Sequence, residues 1–429
     1  MNIGVIGAGY VGLVTALGLS KIGHNVINYE KDISKLRKIS SKDPIINEKG
    51  ISKLLKNKIN KSYFITNKLD DLKKCEVLFV AVNTPHTKKG IYLGNVISCL
   101  KKIKSKISKK EKKIIVIKST VIPGTLVKKI KPIYKSFKNV EFVSNPEFLR
   151  EGSALDDFLK PDRIVIGTEN QHSKKKLINI YKKFKSKIIF TNATEAEMSK
   201  YFSNIFLANL ISFSNEFSDY CSLFDKVNYY NVINTFVNDR RFKIENNKKI
   251  FYPSIKQYMT PGPGYGGSCF PKDTKSLLKD AEDKGLKMGI LKESIKINDQ
   301  RSNQVLNQIN KHYKNLSKKT FLIIGLGFKP GTNDLRESKP IFFIQRLKKN
   351  NSKIIVYDKS IILNEIGIKQ VKISDFKKLK IDGIICFSNE KKILSINWNH
   401  FCKLKKCKIF DMRGNLSPSK RVFVMGKNF

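Results

Sequence analysis

At 429 residues and 49.1 kDa the chain is too long for one compact core and suits two or three domains. Its 41% hydrophobic and 28% charged residues describe a water-soluble globular protein, and the charge-free run Tyr201 to Asn215 is shorter than a bilayer span and carries several Asn and Ser. The net charge of +47 is carried by lysines scattered along the whole length, with 10 Arg among 83 basic residues and no aromatic-interleaved basic motif, which argues against a nucleic-acid-binding role.

The opening "MNIGVIGAGYVG" enters a strand directly, without a basic leader or cleavage-site pattern, so the reading places the protein in the cytoplasm. Short β-branched runs follow at intervals: "HNVINYE", "EVLFVAV", "KIIVIKST", "VEFVSNPE" and "RIVIG" are strand candidates separated by helical patterns, the rhythm of a parallel sheet flanked by helices. The basic run Lys101 to Lys113 reads as a solvated helix face. From about Thr191 the pattern turns helical, with Thr194 and Glu197 in capping-box spacing ahead of a long apolar periodicity. A second strand and helix rhythm starts near Thr320 with "TFLIIGLG", "KIIVYD", "DGIICFS" and "CKIFDMRG". The fold class expected is α/β: two Rossmann-like parallel-sheet domains joined by a helical central, dimerising region. The boundaries fall at 1–190, 191–315 and 316–429.

Gly7, Gly9 and Gly12 stand in GxGxxG spacing between a strand and an apolar helix. That pattern gives a tight turn, close approach of a pyrophosphate and close helix packing, with the anion at the helix N-terminus. Glu30 closes the second strand, in place for a ribose hydroxyl, and would repel a 2′-phosphate, so NAD is expected over NADP. The second glycine cluster, "IIGLGFKPGTND", lacks the third glycine in register and, on its spacing, an acidic partner. It is read as holding a different nucleotide or as packing.

Seven dispersed cysteines form no CxxC pair and have no His cluster beside them, so neither a disulfide frame nor a zinc site is expected, and no metal. Six read as small buried hydrophobes. Cys269, in "GYGGSCFPKD", differs, because a thiol at a helix start beside Lys272 has its thiolate favoured. Such a sulfur can add to an aldehyde; loss of a hydride from the adduct leaves a thioester, and water releases an acid.

The motifs "GAGYVG", "PIINEKGISKLL", "VAVNTP", "KSTVIPGT", "NPEFLREGSALDDFLKPDRIVIG", "ATEAEMSKYFSN", "NDRRF", "PGYGGSCFPKD", "GFKPGTNDLRES" and "IFDMRG" run over nearly the full length. Together they resemble the nucleotide-sugar dehydrogenase family (UDP-glucose/GDP-mannose dehydrogenases). The resemblance implies NAD-dependent, four-electron oxidation of a sugar C6 alcohol, with UDP-glucose expected first and a UDP-N-acetylhexosamine or GDP-mannose as alternatives. A two-electron hydroxyacid dehydrogenase, in which Cys269 would be idle, is the competing reaction.

The resemblance further assigns Cys269 as the acyl-forming nucleophile, Glu147 to the hydrolytic water, and Thr120 to the reacting centre. It gives Lys200 and Asn204 to the developing oxyanions and makes Asp273 an acid or base. Tyr10, Val11, Lys35, Thr84, Thr120, Lys272 and Arg336 join Gly7, Gly9, Gly12 and Glu30 around the cofactor. The sugar nucleotide falls to Glu147, Phe148, Leu149, Arg150, Lys200, Asn204, Tyr258, Met259, Gly264, Phe328, Lys329 and Arg413. Arg241 matches a residue that reaches a neighbouring subunit's substrate, which implies a homodimer or higher homo-oligomer. The stretch between Arg241 and Tyr258 is longer than in the shortest relatives, and Leu210 stands where many carry a basic residue.

Overall fold

The computed structural model describes residues 1–246, 249–363, 365 and 367–428. The chain divides into two compact units, Met1–Ser203 and Asn204–Phe429.

In the first unit eight strands form one sheet: β1 (Asn2–Ile6), β2 (Asn25–Tyr29), β3 (Tyr63–Thr66), β4 (Val77–Val80), β5 (Lys113–Ile117), β6 (Val140–Ser144), β7 (Arg163–Gly167) and β8 (Lys187–Thr191). Their spatial order is β3-β2-β1-β4-β5-β6-β7-β8. Pairing is parallel except where β6 meets β7, which touch antiparallel at Ser144 and Gly167. The order reverses between β1 and β4, the switch point at which open α/β sheets bind their ligands. Strands β4 and β5 are buried at every position, which is why "VLFV" and, after Lys113, "IIVI" are continuous apolar runs without alternation.

Helix α1 (Tyr10–Lys21) is buried along most of its length between the sheet and its neighbours. Gly18 lets the ring of Phe158 approach, since a Cβ there would stand 2.2 Å from it. Phe158 lies on the short helix α5 (Ala154–Leu159). Around the sheet also run α2 (Ile33–Ser40), α3 (Ile51–Lys58), α4 (Gly94–Lys104) and α6 (Gln171–Tyr181).

The second unit contains the greater part of α7 (Ala193–Cys221), then α8 (Tyr229–Val237), α9 (Phe270–Asp283) and α10 (Gly289–Asn310). A six-stranded parallel sheet follows: β9 (Thr320–Ile324), β10 (Lys353–Tyr357), β11 (Ile368–Gln370), β12 (Gly383–Cys386), β13 (Lys408–Asp411) and β14 (Val422–Val424), with α11 (Lys339–Lys349) after β9. Its order, β11-β10-β9-β12-β13-β14, repeats the 3-2-1-4-5-6 arrangement of the first sheet.

Two local expectations need correction. The reciprocal bonds of a capping box link Asn192 and Glu195, not Thr194 and Glu197; Glu195 N donates to Asn192 Oδ1 at 2.9 Å and Asn192 N to Glu195 Oε2 at 3.0 Å. Glu197 is thereby left to a different task. The basic run is not one helix face either, because α4 ends at Lys104 and Lys113 starts β5 with its ammonium buried on the carbonyls of Lys73 and Cys75. The extra stretch after Arg241 includes a small antiparallel hairpin, Ile244–Asn246 with Lys249–Phe251, whose intervening Asn247 and Lys248 lie outside the described residues.

Candidate active site

At the switch point of the first sheet each fingerprint glycine meets a different constraint. Gly7 has φ +95° and donates from its amide to Tyr29 O at 2.8 Å. A Cβ on Gly12 would lie 1.9 Å from Gly7 O, whereas one on Gly9 would meet nothing within 4 Å. The open side of Gly9, at the start of α1, is therefore room for a ligand phosphate. Buried Glu30 accepts from Ala8 N at 2.8 Å through Oε2 and from Asp32 N at 3.0 Å through Oε1. Each oxygen keeps a lone pair for a ribose diol. This cradle fits NAD. Lys35 lies in the first turn of α2, its backbone N–H on the Asp32 cap, and Val11 lies in the first turn of α1. Thr84 Oγ1 donates to Thr120 O at 2.7 Å, tying the segments that leave β4 and β5.

The segment after β6 carries Glu147, whose carboxylate faces Lys200 Nζ at 3.0 Å with both side chains buried. Glu147 Oε2 also accepts from Leu149 N at 2.6 Å. Burial alone would raise its pKa, but the Lys200 ammonium, the Leu149 N–H and Lys118 together hold it below the usual carboxylate value. Lys118 is a second buried ammonium, which the residue reading missed. It donates to Asn145 Oδ1 at 3.2 Å, and burial brings its pKa down to about 8. The Phe148 ring lies under the Arg163 guanidinium at 4.0 Å and the Lys200 ammonium at 5.6 Å. Arg150 pairs with Asp157 at 2.6 Å. Lys118, Glu147, Phe148, Arg150 and Arg163 border a cleft that also takes in Tyr181 and Phe184.

In the second unit the glycine-rich loop 262–268 is built by side chains of two helices. Asn215 on α7 accepts from Gly262 N at 2.7 Å; from α10, Asn298 accepts from Tyr265 N at 2.7 Å and the wholly buried Arg301 donates to Gly262 O at 2.9 Å. Gly266 and Gly267 would each drive a Cβ into the Phe328–Glu337 segment, 2.2 Å from Glu337 O and 2.6 Å from the Phe328 ring. The glycines thus serve close packing as well as turning, and they deliver Cys269 as the N-cap of α9, exposed to solvent. Of the other cysteines, Cys99 is half-buried and the rest are buried; among the described residues no disulfide joins any of the seven. Asp273, one turn on, donates its amide to Cys269 O at 2.8 Å and is buried, with Oδ2 accepting from Asn204 Nδ2 at 2.6 Å and Oδ1 from Lys272. Lys272 therefore spends its charge on Asp273, and the N-terminus of α9 is the electropositive feature beside the thiol.

Tyr258 sits in a 3-10 turn with its ring 6.3 Å from Phe270, and Met259 O accepts from Tyr229 at 3.0 Å. Gly264 has φ +99° against Asn298. Arg413 donates to Phe328 O at 3.2 Å while its buried Nε has no hydrogen-bond partner among the described residues, so an acceptor is wanted there. Lys329 is exposed in the segment after Phe328. Arg336 and Arg241 are exposed and fork onto Asp334 and Asp239 two residues earlier.

The second glycine cluster does have an acid. Asp358, at the end of β10, accepts from Leu326 N at 2.8 Å, and Gly325 N donates to Tyr357 O at 2.8 Å, matching Glu30, Ala8, Gly7 and Tyr29 in the first sheet. The space differs: a Cβ on Gly327 would meet Thr332 O at 2.6 Å, so the chain itself fills the region that stands open at Gly9. Among the described residues no group of three or more His, Cys, Asp or Glu side chains is gathered for a metal ion, and no helix is long and apolar enough to cross a membrane.

Sequence comparison matches the UDP-glucose/GDP-mannose dehydrogenase family in three consecutive stretches. Its NAD binding domain covers residues 1–185, its central domain 194–300 and its UDP binding domain 322–418. A protein of Rickettsia conorii named UDP-glucose 6-dehydrogenase is 32% identical over 96% of this chain and 93% of its own. This chain belongs to that family. The dehydrogenase is also 34% identical to UDP-glucose 6-dehydrogenase YwqF of Bacillus subtilis, over 83% of this chain and 79% of the relative. Among solved structures, a UDP-glucose dehydrogenase from Pyrobaculum islandicum superposes with TM-score 0.86 at 27% identity, covering 99% of this chain and 98% of the other. The dehydrogenase shares its fold with a UDP-D-ManNAc dehydrogenase from Pyrococcus horikoshii, at TM-score 0.84 and 24% identity over the full length of both. It is an NAD-dependent nucleotide-sugar dehydrogenase.

Proposed function

We propose that the dehydrogenase oxidises the C6 alcohol of UDP-glucose to the carboxylate of UDP-glucuronate, in two two-electron steps through a thioester on Cys269. The observation that carries the reading is the exposed Cys269 at the α9 N-terminus, one turn before a buried Asp273 that holds Asn204. The names of the Rickettsia and Bacillus relatives favour UDP-glucose over an N-acetylated sugar or GDP-mannose.

Bound NAD supplies the hydride acceptor at each oxidation level. The Lys200 ammonium and Asn204 hydrogen-bond the alcohol oxygen and steady the charge it gains, while its hydroxyl proton leaves to solvent and the first hydride leaves the carbon. The Cys269 thiolate adds to the aldehyde carbon, forming a C–S bond and leaving the former carbonyl oxygen as an alkoxide. Loss of the second hydride gives the thioester. Glu147 removes a proton from water, whose oxygen attacks the acyl carbon; the C–S bond breaks and the thiolate is regenerated.

Residues 1–190 hold the cofactor in this reading, 191–315 carry the nucleophile and 316–429 receive the nucleotide through Phe328, Lys329 and Arg413. The exposed ring ladder of Phe213, Phe217 and Tyr220 on α7, continued by Phe224 just past its end, supports a homodimer built on that helix. Seven cysteines without a disulfide among the described residues suit a reducing cytoplasm. The deciding experiment incubates purified protein and NAD with a panel of sugar nucleotides. Two NADH per sugar and a product heavier by 14 Da, about the mass change when CH2OH becomes COOH, support the reading. One NADH per sugar removes the thioester.

A further inference from the structure

Glu48 has no part in the chemistry above, yet it is buried in a loop between α2 and α3 with bonds both to the start of α1 and to the segment that leads into α5. Its Oε1 accepts from the hydroxyl of Tyr10, the first residue of α1 and the neighbour of Gly9. The same oxygen accepts from Gly152 N, and Oε2 accepts from Ala154 N at 3.1 Å. Burial and Glu48 push the Tyr10 hydroxyl far above its ordinary pKa, so Tyr10 is the donor. Behind these bonds Phe158 of α5 is packed onto Gly18 of α1. The loop 147–154 is thus fixed at one end by Glu147 on Lys200, in its middle by Arg150 on Asp157, and at the other end by Glu48.

We propose that Glu48 is a positioning residue that couples the two ligands energetically: cofactor at the glycine loop and nucleotide sugar at the Glu147–Arg150 segment each tighten the binding of the other through Glu48. A phosphate seated at Gly9 fixes the first turn of α1 and with it the Tyr10 hydroxyl. That holds the Glu48 carboxylate on Gly152 and Ala154, so less freedom remains to be lost when the Glu147–Arg150 segment closes on a sugar nucleotide. The coupling must be reciprocal. The inference rests on the reading above for the identity of the ligand at that segment.

The test uses the full chain with NADH and UDP-glucose, a pair that cannot react because both are in the reduced state. NADH is titrated by fluorescence with and without saturating UDP-glucose, and the ratio of its two dissociation constants is taken. The wild type is expected to give a ratio of at least about fivefold, the low end of ordinary coupling. Glu48→Gln is expected to bring it within about twofold of unity. Tyr10→Phe, which leaves the carboxylate on its two backbone donors, brings the ratio down in the same way and serves should Glu48→Gln not fold. A Glu48 that merely caps α5 predicts lower stability with the wild-type ratio retained; that result, or a wild-type ratio of one with UDP-glucose bound, overturns the proposal. Calorimetry showing no UDP-glucose binding to the wild type would instead overturn the functional reading, and this inference with it.

Discussion

Asn204 gives one amide hydrogen to Asp273 Oδ2 at 2.6 Å, and both side chains are buried. With Oδ1 engaged by Lys272, each oxygen of the Asp273 carboxylate holds a donor, which suits it to aiming Asn204 more than to shuttling protons. The second amide hydrogen of Asn204 is then presented in a fixed direction. Asp273→Asn should lower kcat by about 10²–10³, as loss of an aimed oxyanion donor does elsewhere, with a much smaller change in KM. Asn204→Ala should in addition cost about 1–3 kcal/mol of stability, because it strips a buried carboxylate of a donor. Steady-state kinetics alongside denaturant melts separate the two effects; a change in KM alone for Asp273→Asn would contradict the assignment.

Cys269→Ser tests the covalent step. An alcohol in place of the thiol is a far weaker nucleophile near neutral pH, so acid release should fall by about 10³ or more while UDP-glucose still binds. NADH formation should stop at one equivalent per sugar or below. Unimpaired UDP-glucuronate production, followed by product mass, would take Cys269 out of the mechanism.

Much of this was legible in the residues, and the failures share a cause. The glycine fingerprint, Glu30 and the α9 start are local patterns of spacing, and each lies where spacing puts it. Strands β3 and β8 leave little trace in the residues because "YFIT" and "KIIFT" are edge strands, half exposed and without a long apolar run. Glu48, Asn215 and Arg301 could not be singled out, since the donors and acceptors they serve lie 104, 47 and 39 residues away along the chain. Asp358 escaped because its distance from Gly325 is set by the loop and helix between β9 and β10, which are longer here than in the first sheet.

The glycine loop offers a contrast between folding and binding. Gly9 has φ −71° and ψ −168°, ordinary for any residue, and open space beside it. Gly9→Ala should therefore change stability by no more than about 0.5 kcal/mol, as surface substitutions do. A methyl group there stands where the pyrophosphate must approach, so NAD affinity should drop at least about tenfold, or ~1.4 kcal/mol. Gly12→Ala puts a Cβ 1.9 Å from Gly7 O and should destabilise the fold itself by about 1–3 kcal/mol. Thermal melts with and without NAD distinguish the two; equal destabilisation by both variants would show that the space at Gly9 is not reserved for a ligand.

Glu197 supplies a pH-dependent term. Its carboxylate accepts from Gly124 N at 2.6 Å and Leu126 N at 3.0 Å, holding the turn that follows Thr120. Burial outweighs these donors and pushes its pKa up from 4.5 to about 7. The folded state therefore binds this proton more tightly than the unfolded chain does. Its contribution to stability is whole below pH 4.5, declines as the pH rises, and is gone once the pH passes about 7. The full swing is about 3 kcal/mol, since each pKa unit corresponds to ~1.4 kcal/mol. Other groups titrate in the same window, so the quantity to measure is the difference in unfolding free energy between the wild type and Glu197→Gln, by urea titration at several pH values. That difference should slope against the wild type from pH 4.5 to about 7 and level off above it. A flat difference would mean that Glu197 is already ionised throughout, with its backbone donors winning over burial.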